Sequence, residues 1–244
     1  MRLFGLIGSP LTHSFSKKYF SRKFEEEGLG DCRYELFPLA TISELPGLLE
    51  ANPELEGLNV TIPYKKQVLS YLAAVEIPEG LHACNCIRIK EGRLTGYNTD
   101  VAGFEKSLGP LLKPWHSRAL VLGNGGATEA VIFVLRKLGI RYQVVSRSLH
   151  AGSDLTYADL DMETVRQHNL IINTTPLGIF PDTGTCPPVP YEGITEKHLL
   201  YDLVYNPSKT LFLQKGEERG AGIKNGEDML VIQAEESWKI WNRS

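Results

Sequence analysis

Arg118-Ala119-Leu120-Val121-Leu122-Gly123-Asn124-Gly125-Gly126-Ala127 joins a short apolar run to a cluster of glycines, and Thr128–Leu138 follows with Ala130, Val131, Val134, Leu135 and Leu138 at helical spacing. A buried strand, a tight glycine turn and an amphipathic helix, in that order, form the opening of a dinucleotide-binding βαβ unit. Gly123 permits the turn. Gly125 lets backbone approach a pyrophosphate, with Asn124, Gly126 and Ala127 completing the loop, and the unpaired N–H groups at the helix start suit the charge of the phosphates. Thr128 stands where a third small residue normally falls, and a glycine turn without a ligand is the alternative reading of the same residues.

The next strand, Tyr142-Gln143-Val144-Val145, ends in Ser146-Arg147-Ser148 rather than in an acidic residue. A carboxylate there would hold the ribose diol of NAD and repel a 2′-phosphate, whereas an arginine flanked by two hydroxyls accepts that phosphate, so the expected cofactor is NADP. Further strands are expected at Leu170–Asn173, Leu199–Val204 and Gly222–Lys224, which makes five in βα order. Upstream, the pattern predicts strands at Arg2–Ile7, Cys32–Phe37 and Gly57–Thr61, and a hairpin of Cys84–Ile89 and Arg93–Tyr97 turning at Glu91-Gly92. Helices are expected at Ser16–Glu27, Ile42–Ala51, Pro63–Ala74 and Asp100–Leu112. After Asn225-Gly226, the residues Leu230, Val231, Ala234, Trp238 and Trp241 form an apolar helical stripe, expected to fold back on the first half of the chain.

In Asn59-Val60-Thr61-Ile62-Pro63-Tyr64-Lys65-Lys66, lysines on the first turn of a helix oppose its dipole, which hints that one of them serves chemistry. Asn98-Thr99-Asp100 also opens a helix, where Asn98 or Asp100 reads equally as a cap. Gly8-Ser9-Pro10-Leu11-Thr12-His13-Ser14-Phe15-Ser16 is a polar loop whose Ser16 reads as a helix N-cap, or whose two serines read as donors to a substrate carboxylate. His13 reads as a loop histidine.

Composition excludes several classes. The 244 residues carry 26 Lys and Arg against 29 Asp and Glu, a formal charge of -3, with no basic run longer than two. That balance gives no field to hold a nucleic acid or an anionic membrane, and a small-molecule partner is expected. Cys32, Cys84, Cys86 and Cys186 contain no C-x-x-C pair, so no metal site is expected and the thiols read as reduced in a cytoplasm. No apolar stretch is long enough for a membrane span.

Taken in order, Ser14 and Ser16, the Asn59–Lys65 segment, Ala83-Cys84-Asn85-Cys86, Asn98-Thr99-Asp100, Gly123–Ala127, Asn173-Thr174-Thr175-Pro176-Leu177-Gly178, Tyr201-Asp202-Leu203-Val204-Tyr205 and Gly226–Gln233 resemble the motifs of the shikimate dehydrogenase family. The resemblance implies an α/β fold of two domains, an α/β substrate domain and a Rossmann-type NADP-binding domain. Their expected bounds are 1–100 plus 227–244 for the substrate-binding catalytic domain and 101–226 for the other. It implies reversible NADPH reduction of 3-dehydroshikimate to shikimate on the route to chorismate and the aromatic amino acids, by a monomer or homodimer. Lys65 and Asp100 would be the catalytic pair, and Ser14, Ser16, Asn59, Thr61, Asn85, Tyr205 and Gln233 the substrate contacts. Gly123, Asn124, Gly125, Gly126, Ala127, Ser146, Arg147, Ser148, Thr174, Thr175, Val204 and Gly226 would hold the cofactor.

The rival readings are a quinate or dual quinate/shikimate dehydrogenase, against which Ser16 and Arg147 argue, and a noncatalytic NADP-responsive binding protein, against which the presence of both Lys65 and Asp100 counts. Cys86, Val101, Glu227-Asp228 and Asn124 depart from the family's usual threonine, glycine, leucine-glycine and alanine. Only 22 residues, Ser148 to Asn169, separate Arg147 from the next strand. They open with a polar stretch, so the second crossover is expected to be reduced, its helix replaced by a loop near the adenosine site, with His150 the nearest remaining basic candidate.

Overall fold

A computed structural model describes residues 1–11, 14–149 and 151–243. The chain divides into two compact units, Met1–Gly103 with Leu230–Ser244, and Phe104–Met229. His13 and His150 lie outside the described residues.

In the first unit, β1 (Arg2–Gly8), α1 (Phe15–Glu26), β2 (Cys32–Pro38), α2 (Leu45–Ala51), β3 (Leu55–Val60), β4 (Ala74–Glu76), β5 (Cys86–Lys90) and β6 (Arg93–Tyr97) follow in order. Among the described residues the sheet runs β2-β1-β3-β5-β6-β4. It is parallel except that β5 runs against β3 and β6. The β5–β6 hairpin turns at Glu91-Gly92 with both residues at positive φ (52° and 73°), which matches the twist of the strands it joins. The stripe of α7 (Glu227–Trp241) packs through Ala234, Trp238 and Trp241 on Phe4, Phe20, Phe24 and Tyr34. Trp241 stacks on Phe4 at 4.9 Å between ring centroids, and its Nε1 donates to the Ile87 carbonyl at 2.9 Å.

The second unit holds β7 (Arg118–Leu122), α4 (Thr128–Lys137), β8 (Arg141–Ser146), β9 (Leu155–Thr156), α5 (Met162–Arg166), β10 (Leu170–Asn173), β11 (Leu199–Asp202), α6 (Leu211–Glu217) and β12 (Gly222–Lys224), preceded by α3 (Asp100–Leu108). Among the described residues its sheet is parallel throughout, in the order β12-β11-β10-β7-β8-β9. That is the doubly wound arrangement in which ligands sit beyond the carboxyl ends of the central strands. Among the described residues no helix is long and apolar enough to cross a membrane.

Several expectations are corrected. Pro63–Ala74 is not a helix: residues 62–66 form turns, Gln67–Tyr71 a 3₁₀ segment, and Ala74–Glu76 the unforeseen β4. A helix would need the Lys65 carbonyl to accept from Leu69 N, but it accepts from Cys84 N at 2.8 Å, while Leu69 N turns to Lys66 O. The argument from lysines against a helix dipole therefore loses its premise. The N-cap of α1 is Ser14, whose hydroxyl accepts from Lys17 N at 3.2 Å, and not Ser16. The Asp100–Leu112 helix ends at Leu108, with a 3₁₀ turn at Gly109–Leu111 around Pro110. The strand predicted to reach Val204 stops at Asp202, whose Oδ1 accepts from Val204 N at 3.0 Å and bends the chain away. Between β8 and β9 the described residues form no helix, as the shortened sequence predicted, yet the two-residue strand β9 and the short α5 survive.

Asp202 is a fully buried carboxylate of this unit. Besides Val204 N, it accepts from Asn173 Nδ2 at 2.9 Å and from Thr210 Oγ1 at 2.5 Å. Burial nevertheless outweighs those bonds and pushes its pKa up to about 6.

Two measurements test these packing arguments. Trp241→Ala is expected to lower the stability of the chain by about 3–5 kcal/mol in urea unfolding, the usual range for emptying a buried tryptophan site; a loss under about 1 kcal/mol would show that α7 does not hold the core. Because the folded Asp202 carboxyl binds its proton more tightly than the unfolded one, wild-type stability should fall as pH rises from about 4 to about 6, by on the order of 1–3 kcal/mol. Asp202→Asn should flatten that slope, and an unchanged slope would assign it to another group.

Candidate active site

The first unit assembles its polar residues where β3 and β6 end and β5 begins. Lys65 Nζ lies 2.7 Å from Asp100 Oδ2, with the lysine side chain 16% exposed and the aspartate 4%. Sequence spacing could not pair two residues 35 apart; backbone connections do. Cys84 N donates to the Lys65 carbonyl, and Asn85 N donates to Tyr97 O, which ties the lysine turn to the residues just before Asp100. Asn85 is buried and clamps Thr99, accepting from Thr99 N at 2.7 Å and donating to Thr99 Oγ1 at 3.0 Å. Asn98 caps α3 by accepting from Val101 N at 3.2 Å and donates to Ala83 O at 2.7 Å. Asn98 is thus the cap that one of the alternative readings anticipated, and Asp100 is left with its carboxylate on the lysine. Cys84 packs beneath, its thiol pushed up to about 11 by burial.

A second network runs across the same unit. Tyr34 donates to Asn59 Oδ1 at 2.8 Å, and Asn59 Nδ2 donates to Ser237 Oγ at 2.9 Å and to Asn85 O at 3.3 Å. Ser237 in turn donates to the Gln233 carbonyl at 2.9 Å. Burial raises Tyr34 well above an ordinary phenol, with a hydrogen bond from Ser16 pulling the other way. The network links Ser16, Asn59 and Gln233 through Tyr34 and Ser237, which the sequence reading missed. The one signal for them was chemical, a tyrosine and a serine falling on otherwise apolar faces. Asn59 uses both amide N–H groups within the protein, whereas Asn85 Nδ2 gives one to Thr99 Oγ1. Thr61 is half-buried, its methyl against Gly8. Cys86 is fully buried and touches Ser237 and Trp241, so that departure is absorbed by the core.

In the second unit, Gly123, Asn124, Gly125, Ser146, Arg147, Tyr157, Thr174 and Thr175 are among the residues lining a cleft of about 330 Å³. Gly123 has φ +102°, and a Cβ there would fall 2.8 Å from the Thr175 methyl and 2.9 Å from Thr174 Oγ1. Both the turn and the close approach demand glycine. A Cβ on Gly125 would meet nothing within 4 Å, so that backbone faces open space. Ala127 at the N-cap of α4 makes no side-chain capping bond, and the first helical N–H, that of Thr128, donates to Gly125 O at 3.0 Å within the turn. Thr128, the misfit of the glycine motif, is 3% exposed; its hydroxyl donates to Gly123 O at 3.3 Å and shares a 2.8 Å bond with Thr174 Oγ1. Ser146 Oγ donates to Ser148 O at 2.6 Å, which commits one of the two hydroxyls beside the exposed Arg147. The donor set of turn amides, uncapped helix and guanidinium fits an anionic dinucleotide.

The remaining residues of this unit are placed by the chain itself. Gly226 N donates to Val204 O at 3.1 Å, and a Cβ on Gly226 would strike the Leu203 carbonyl at 2.1 Å, so glycine is required there by backbone packing. Asp228, one of the two added acids, pairs with Lys224. Tyr205 belongs to this unit and is half-buried, whereas Ser14, Ser16, Asn59, Thr61, Asn85 and Gln233 belong to the first.

Residues 6–87 match the family model of the shikimate dehydrogenase substrate binding domain. The NADP(+) shikimate dehydrogenase of Caldanaerobacter subterraneus subsp. tengcongensis is 36% identical, over 98% of this chain and 91% of the relative. An NADP(+) shikimate dehydrogenase of Thermus thermophilus is 34% identical over 99% and 92%. A solved structure of the shikimate 5-dehydrogenase from a second strain of Thermus thermophilus, in complex with NADP(H) and shikimate, superposes with a TM-score of 0.86 at 33% identity, covering 99% of this chain and 94% of that one. Identity at this level over nearly the whole length, on the same two-unit α/β fold, makes this chain a member of the shikimate dehydrogenase family.

Proposed function

We propose that this protein is an NADP-dependent shikimate dehydrogenase that reduces 3-dehydroshikimate reversibly to shikimate, with Lys65 and Asp100 as its catalytic pair. The observation that carries the reading is the 2.7 Å contact of these two side chains, both largely shielded from water. In the reducing direction NADPH, when bound, supplies the hydride. Negative charge then grows on the carbonyl oxygen, where the Lys65 ammonium stabilises it and delivers the proton that completes the alcohol, afterwards regaining one from solvent. Asp100 orients the ammonium and accepts from a neighbouring substrate hydroxyl.

Ser14 and Ser16 are read as donors to the substrate carboxylate. Ser14 is free to do this because its capping bond uses an oxygen lone pair and leaves its own O–H to point outward. Asn59, Thr61, Asn85, Tyr205 and Gln233 are read as the other substrate contacts. For the cofactor, the turn from Gly123 to Ala127 is read as the pyrophosphate cradle, and Arg147, flanked by Ser146 and Ser148, as the anchor of the 2′-phosphate, with Thr174, Thr175, Val204 and Gly226 along the remainder of the nucleotide. The location that fits these substrates is the cytoplasm.

Two kinetic experiments test the assignment. Lys65→Ala should lower kcat by about 10²- to 10⁴-fold in NADP-linked shikimate oxidation with little change in KM, and retention of a third of the wild-type rate would refute the proton-transfer role. Ser14→Ala should lose both of its functions: about 0.5–2 kcal/mol of stability from the cap, and roughly ten- to a hundredfold in kcat/KM for shikimate from the lost charged hydrogen bond. A loss of stability with unchanged kinetics would leave Ser14 as a cap only.

A further inference from the structure

The nucleotide cleft of the second unit contains a lining group that neither the glycine turn nor Arg147 explains. Among the described residues, Tyr157 Oη is the one buried side-chain polar atom with no hydrogen-bond partner. Native folds leave few such groups, and each one found calls for a reason. Tyr157 lines the same cleft as Arg147, and the positive charge of Arg147 acts on its phenol.

The surrounding chain is built to keep this residue where it is. On one side Asp154 grips β8 twice, its N–H donating to Val144 O at 2.8 Å and its carboxylate accepting from Val144 N at 2.7 Å. On the other, Thr156 donates through both its N–H and its hydroxyl to Asp159 Oδ2, at 2.8 and 2.7 Å. Tyr157 sits between these anchors, directly after β9. Burial pushes its pKa up to about 12 against the pull of Arg147, so the group remains a neutral O–H donor throughout the working pH range. Nearby alternatives are scarce. Residues 148–154 contain no further Lys or Arg, and the Ser146 proton is already given to Ser148 O.

We propose that the Tyr157 hydroxyl donates a hydrogen bond to the 2′-phosphate of NADP beside Arg147 and is thereby a determinant of the preference for NADP over NAD. The proposal rests on the reading of Arg147 as the 2′-phosphate anchor. A neutral donor strengthens the grip of a single guanidinium on a dianion without adding a charge that would have to be buried when the cleft is empty.

Calorimetric titration of the full chain with adenosine 2′,5′-bisphosphate and with adenosine 5′-monophosphate tests it, using Tyr157→Phe and Arg147→Ala. Tyr157→Phe should weaken the bisphosphate roughly ten- to a hundredfold, the effect of removing one hydrogen bond to a charged group, while the monophosphate changes by less than about twofold. Its melting temperature should not drop, since the deleted hydroxyl has no partner in the fold. If Arg147→Ala weakens the bisphosphate but Tyr157→Phe does not, the proposal falls and the Arg147 reading stands. Equal weakening of both probes by Tyr157→Phe, or a lowered melting temperature with unchanged binding, assigns the hydroxyl to the adenosine or to the fold and also overturns it. If Arg147→Ala leaves the bisphosphate unaffected, the anchor reading itself fails and takes the proposal with it.

Discussion

A carboxylate as deeply buried as Asp100, 2% exposed, is tolerable only with a cation upon it, and the arrangement of the first unit follows from bringing Lys65 there. The lysine cannot arrive on a helix, because a helical ladder would claim its carbonyl. That carbonyl is given to Cys84 N, and the turn that results aims the side chain toward the start of α3. Asn85, next along, clamps Thr99 on the far side of the β5–β6 hairpin, so one buried asparagine fixes the backbone on which Asp100 stands. Truncating one partner of such a pair exposes the other to its full desolvation penalty. The pair therefore carries a standing risk to stability, which the surrounding hydrogen bonds contain.

The second unit meets a different constraint, the close approach of backbone to backbone at the carboxyl ends of β7, β10 and β11. Gly123 has no room for a side chain against Thr174 and Thr175, and Gly226 none against Leu203. The hydroxyls of Thr128 and Thr174 join across the same crossing, and Asp202 collects Asn173, Val204 and Thr210 at the end of β11. These bonds lie within the protein and stiffen the rim of the cleft. The glycine turn leads directly into the start of α4, which no side chain caps, and the positive end of the helix dipole faces the cleft side of the turn.

The strands of both sheets other than β4 and β9, the glycine turn and the amphipathic α4 were legible because each writes a local pattern: continuous apolar runs for buried parallel strands, 3.6-residue spacing for the helix, glycine where φ is positive. What was not legible depends on partners remote in sequence. Tyr64, Val68, Leu69 and Leu72 are spaced as in a helix, and only the bond between Lys65 O and Cys84 N breaks that pattern. Ser14 and Ser16 are equally good caps by composition, and the choice between them turns on where the chain leaves β1. Tyr34 and Ser237 join the Asn59 network across 25 and 178 residues, and a polar residue on an apolar face signals burial but not its partner. Leu155-Thr156-Tyr157 did carry a weak signal, β-branched and aromatic residues in a polar stretch, which marks the two-residue strand the length argument overlooked.

The shortened crossover shows how little of a βαβ unit is needed to place a residue. Parallel neighbours ordinarily need a dozen or more connecting residues, because the chain must travel back the full length of the strand. Here residues 147–154 suffice, since β9 pairs only with Val145 and Ser146 at the very end of β8 and the return path is correspondingly short. A strand of two residues adds little sheet energy, so its register must be held by side chains. Asp154 holds it from one side and the Thr156–Asp159 box from the other. With the helix gone, the clamps act chiefly on the position of Leu155, Thr156 and Tyr157, two of which pack on the apolar core of the unit, so hydrogen bonds and core packing together fix this lip of the cleft.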